Sequence, residues 1–183
     1  MSFPVHPFWD FSLGLYGKPG VADACLFVQD RYGMNVNLIL FCIWFADNGG
    51  GSLTGENIST ALLRIADWQG QVIKPLREIR RTSRHEALGV PEFLLDIFQP
   101  QIDAVELEAE HIEQLILAEF ARGLESSSEG AEDPASAAVA SLQRYVAKLD
   151  VARDAQLAEC MSSILHAAFA DARFPAAADP LAN

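Results

Sequence analysis

The chain has 183 residues, half of them hydrophobic, and its 25 acidic against 13 basic side chains give a formal net charge of -12. That length supports one well-buried core and leaves little room for a second full domain. The charge disfavours nucleic acid and anionic membrane surfaces, whose phosphates it would repel.

Pro7 suits the first turn of a helix, and Phe8 to Tyr16 follows with Trp9, Leu13 and Tyr16 at helical spacing. Gly17 to Gly20 breaks it, and a second helix is expected from Val21 to Tyr32, closed by Gly33. Next comes Asn35 to Asp47, with no polar side chain between Leu38 and Ala46. A helix that is apolar on every side must be enclosed by other helices. A membrane span would need roughly 20 such residues, so this run is too short. It is read as the buried hub, ended by Asn48 and three glycines.

Thr54 is a candidate N-cap for a long helix from Glu56 to His85, with the stripe Ile58, Leu62, Ile65, Gln69, Val72, Leu76 and Ile79. Pro75 should kink that helix or split it near Gly70. A short piece, Pro91 to Phe98, leads into another long helix from Pro100 to Leu124. Its stripe reads Ile102, Val105, Ala109, Ile112, Ile116 and Phe120. Residues 126–134 are small, polar and acidic and read as a flexible linker. Ala-rich helices follow at Ala135–Leu149 and Val151–Ala172, and whether Asp150 divides them is open. The expected architecture is all-α: one bundle of about six to seven helices around Asn35–Asp47. Its parts are a helical core over 1–125, C-terminal helices packing on it over 135–173, and a frayed tail over 174–183.

Mean hydropathy is +0.13, and a generous core in an Ala-rich helical protein is its simplest source. A surface that pairs with a protein partner or a second copy is the alternative. Cys25, Cys42 and Cys160 lie in apolar helical patterns and read as small hydrophobes in a reducing compartment. The first residues have neither the basic region nor the apolar core of a signal peptide, which fits the cytoplasm.

The run Phe8-Trp9-Asp10-Phe11-Ser12 is followed by Leu15-Tyr16, Pro19-Gly20-Val21, Ala24-Cys25-Leu26, Gln29-Asp30 and Val36-Asn37-Leu38 through Trp44. Further on stand Trp68, Pro75-Leu76-Arg77, Arg80-Arg81 and Glu106-Leu107-Glu108-Ala109-Glu110. Together, over residues 8–120, these resemble a family of small bacterial conserved hypothetical proteins, a domain-of-unknown-function family. The resemblance implies a bacterial cytoplasmic protein and carries no activity with it.

Lys74, Arg77, Arg80, Arg81 and Arg84 form a basic stripe on an otherwise acidic chain. The following helix answers with Asp103, Glu106, Glu108, Glu110 and Glu113, so internal pairing across a helical hairpin is the first reading. The second is a site for an anion or an acidic partner, which arginine's planar fork suits. Glu108 and His111 have half the spacing of a di-iron carboxylate site and are weak metal candidates. The acids of Asp150-Val-Ala-Arg-Asp154 read as solvated helix surface, and Gly49-Gly-Gly51 lacks the residues of a phosphate loop. Trp9, Tyr16, Trp44 and Trp68 are read as core, or else as walls of an apolar pocket between helices. No complete catalytic set and no cofactor motif is legible. The sequence therefore favours a protein-interaction or regulatory module without catalysis. The alternative is an enzyme or carrier that binds a small apolar or anionic ligand in an interhelical pocket.

Overall fold

A computed structural model describes residues 4–85, 89–124 and 133–169. The expected tail over 174–183 and most of the expected linker lie outside the described residues.

The protein is all-α. The helices are α1 (Pro7–Tyr16), α2 (Val21–Tyr32), α3 (Val36–Asp47), α4 (Gly55–Trp68), α5 (Lys74–His85), α6 (Glu92–Arg122), α7 (Pro134–Leu149) and α8 (Ala155–Ala168). Local chemistry sets most of their ends. Asn35 caps α3 by accepting from the Leu38 amide, and Thr54 and Asn57 form a reciprocal capping box at α4. Gly33 closes α2 at φ 67°, where a side chain would be strained. Asp150, at φ 53°, ends α7 and separates it from α8, the division that sequence alone left open.

The hub is enclosed as its composition requires. Leu38, Ile39, Phe41, Cys42 and Ile43 are completely buried. Along α3 and its neighbours, α7 supplies Ala137, Ala138, Leu142, Tyr145 and Val146 to the core, while α1 supplies Phe8 and Leu15. Phe8 stacks on Trp44 with ring centroids 5.0 Å apart and meets Phe41 edge-on. The helix α8 packs on α2. No described helix is long and apolar enough to cross a membrane.

Three sequence expectations need correction. The anticipated kink at Gly70 is a π-helical turn, Gln69–Ile73, that joins α4 to α5 directly. A π turn carries an extra residue and so advances the register of everything after it. The buried stripe accordingly moves from Val72 to Ile73, and Ile79 is 44% exposed. Likewise Pro91–Phe98 is not a separate piece, because α6 runs unbroken through Pro100. On that helix Val105 faces out at 46% exposure, while Glu106 is buried. Cys160, read as buried, is only partly so, whereas Cys25 and Cys42 are fully covered.

Candidate functional site

One face of α6 is polar although it is buried. Glu106, His111, Glu113 and Gln114 are each less than a tenth exposed. Each turns toward α1, the start of α3, or α5.

At the α3 end the polar groups form an ordered chain. Glu113, 1% exposed, accepts from Asn35 Nδ2 at 3.0 Å and from Asn37 Nδ2 at 2.6 Å. Asn37 Oδ1 in turn accepts from Gln114 Nε2 at 2.8 Å. The backbone N–H of Asn35 donates to Tyr145 Oη at 2.8 Å. Among the described residues Glu113 forms no ion pair. Burial pushes its carboxyl above the usual carboxylate range, the two asparagine donors partly oppose that, and the nearby Glu110 adds to it.

At the α5 end the sequence's basic stripe meets its acids. Arg77 Nε bonds Glu106 at 3.3 Å and its terminal nitrogen bonds Glu110 at 3.0 Å. Arg80 Nε sits 2.8 Å from Glu106 Oε2 as an ion pair, without the alignment of a hydrogen bond. Arg84 pairs with Asp103 at 2.5 Å. Arg81 turns instead to Glu78 on its own helix, and Lys74 is exposed. Burial raises the Glu110 carboxyl above its usual range while Arg77 pulls it back.

Between these two ends lies a cavity of about 350 Å³. Trp9, Leu13 and Tyr16 of α1, Leu26 and Gln29 of α2, and Val36, Asn37 and Leu40 of α3 and its start form one wall. Arg80, Arg84, Asp103, Glu106, Leu107, Glu110 and Gln114 form the other. The volume is at the lower end of what small organic ligands occupy. Burial pushes the Tyr16 phenol up to about 12, so it stays neutral. Trp9 also stacks on His111, with centroids 4.1 Å apart and planes 12° from parallel.

Of the four aromatic candidates, then, Trp9 and Tyr16 line the cavity. Trp44 packs on Phe8 and His6, and the Trp68 indole donates to the Ala109 carbonyl at 2.9 Å. Of the five basic candidates, Arg80 and Arg84 line it, and Arg77 is held by two glutamates behind it. Glu108 is exposed while His111 is buried, and no group of three or more His, Cys, Asp or Glu side chains among the described residues is placed to hold a metal ion. Asn37 and Gln114 had no place among the candidates, and Glu113, expected to answer the basic stripe, accepts from Asn35 and Asn37 instead. A polar residue inside the otherwise apolar start of the hub was the available signal for Asn37.

A different surface of α6 is apolar and uncovered. Phe93, Leu94, Ile97 and Phe98 are 42% to 64% exposed on its first turns.

These features define a class: an all-helical domain with a mainly apolar cavity, edged by charged side chains, between α1, α2, α3, α5 and α6. The family model described as "Protein of unknown function (DUF2390)" matches residues 7–117, more than half of the chain, and the chain belongs to that family. Every residue that lines the cavity falls inside the matched span. Comparison with curated proteins and with solved structures returned no match.

Proposed function

We propose that this protein binds a small amphiphilic organic anion in the cavity between α1, α3, α5 and α6. The observation that carries this reading is a shared lining: Arg80 and Arg84 stand around one 350 Å³ space with Trp9, Leu13, Tyr16 and Leu40. Guanidinium groups suit a carboxylate or phosphate head, and the aromatic and aliphatic side chains suit an apolar body. The role is binding, as a carrier or sensor, and no chemical step is assigned to it. Three unpaired cysteines among the described residues support a reducing, cytoplasmic setting.

Decanoate is a suitable probe, followed by calorimetry and by the fluorescence of Trp9. Micromolar binding that weakens at least tenfold in Arg80→Gln/Arg84→Gln, with unchanged helical content, supports the reading. A Leu13→Trp variant, which crowds the cavity mouth, should weaken it as well. Undiminished binding in both variants would contradict it.

A second reading, a protein-interaction or regulatory module, is favoured by the uncovered run Phe93, Leu94, Ile97 and Phe98. Its partner would present an apolar segment with a basic rim. Glu92 and Asp96 flank the run, and a chain of net charge -12 repels a second copy of itself. A monomer in solution at every concentration tested agrees with this choice. A dimer that Phe93→Glu disperses would replace the basic partner with a second copy.

A further inference from the structure

We infer that the ligand carries a hydrogen-bond donor at the end of its apolar body opposite the anionic head, and that Gln114 receives it. This rests on the cavity being the binding site and specifies what enters it.

The argument begins at Glu113. Both of its oxygens accept, one from Asn35 and one from Asn37. Asn35 has no freedom to turn over, since its own Oδ1 takes the Leu38 amide at 3.0 Å and caps α3. Asn37, having given its amide nitrogen to Glu113, presents its oxygen to Gln114. Gln114 must therefore donate to Asn37, as it does at 2.8 Å, and its oxygen is turned away from Asn37. The polarity of a buried carboxylate is thus relayed through two amides.

Gln114 Oε1 is left without a hydrogen-bond partner on a residue that is only 3% exposed and lines the cavity; the oxygen itself is covered, so a ligand's donor meets it as the side chain turns toward the cavity. Buried polar atoms are nearly always bonded, and an orphaned acceptor beside a cavity is a place for a donor to arrive. The surroundings agree, because Glu110 lines the same stretch and Glu113 stands behind it. Both favour positive or N–H and O–H character over a second anion.

The spacing follows from the helix. Glu106, which meets Arg80, and Gln114 lie on α6 about 12 Å apart at the helical rise. Trp9, Tyr16 and Leu40 line the cavity that both ends share. The fitting ligand class is therefore an extended medium-length carboxylate with a hydroxyl, amide or ammonium donor at its far end.

The experiment compares ω-hydroxydecanoate, decanoate and monomethyl sebacate by calorimetry on the whole chain. The hydroxyl can donate and the ester can only accept. One satisfied buried acceptor predicts that ω-hydroxydecanoate binds about tenfold tighter than decanoate, and that the ester gains nothing. In Gln114→Leu the ratio of ω-hydroxydecanoate to decanoate affinity should fall to one, whatever the variant does to decanoate binding itself. The wild-type comparison stands even where that variant does not fold. Equal affinity of the hydroxyl and plain acids, or preference for the ester, overturns the inference while Arg80-dependent decanoate binding leaves the cavity reading intact. Absence of binding by all three overturns both.

Discussion

The hub helix α3 has two unlike sides. Against α7 it is dry, with Ala137, Ala138, Leu142 and Val146 close-packed on it at 1% exposure or less. Against α6, at its start, Asn35 and Asn37 hold a buried carboxylate that forms no ion pair among the described residues. Both sides are buried, the second less completely, with Asn35 8% and Asn37 7% exposed. An apolar interface needs only shape to be stable, whereas a buried charge is costly unless its hydrogen bonds are satisfied. A fold assembled for stability alone would extend the first kind of packing, and the second kind is found beside the cavity.

Single substitutions can break that contrast, beginning on the dry side. Phe41→Ala removes a fully buried ring that touches Phe8, Trp44, Phe45 and Phe120, and should cost about 3–5 kcal/mol in chemical denaturation. On the polar side, Arg77→Ala takes the ion pair from Glu110 and leaves Glu106 to Arg80 alone, and should cost about 2 kcal/mol. Arg81→Ala, which loses only an exposed pair with Glu78, should stay within about 0.5 kcal/mol. A comparable loss from Arg77 and Arg81 would mean that α6 does not use the stripe as a seam.

The buried carboxylates predict a direction with pH. Burial holds Glu113 and Glu110 above the ordinary carboxylate range, so above that range the native state binds more protons than the unfolded one. Their contribution favours the fold at low pH and is lost as pH rises through the raised native values. Glu113→Gln should flatten that slope and leave the part due to Glu110. A slope unchanged in this variant would show that Glu113 is not the strained charge. Thr54→Ala removes the capping box of α4 and should cost about 1 kcal/mol, between the Arg77 and Arg81 variants.

Much of the fold was legible because its signals are local. The Thr54 cap, the Gly33 stop and the uninterrupted apolar run of the hub each need only neighbouring residues to be recognised. The π turn has no such signature. One extra residue there displaced Val72 from the buried stripe and turned Ile79 outward, and neither follows from spacing. Pro100 likewise signals a break that tertiary packing overrides.

The site was legible in kind and not in detail. Aromatic and basic candidates could be named, but which of them meet depends on how α1, α5 and α6 cross. Trp9 and Arg80 line the same space from positions far apart in the chain, while Arg81, next to Arg80, points away. Glu113 read as one of the acids answering the basic stripe, and Gln114 carried no signal. Only the docking of α3 onto that face makes them interior.

The most direct test is NMR chemical-shift mapping with decanoate on the full chain. The account predicts perturbations centred on the Trp9 indole N–H and the side-chain amides of Asn37 and Gln114, with the outer face at Phe93 to Phe98 unmoved. Perturbations confined to that outer face, or spread over the surface with the Trp9 indole silent, would contradict it.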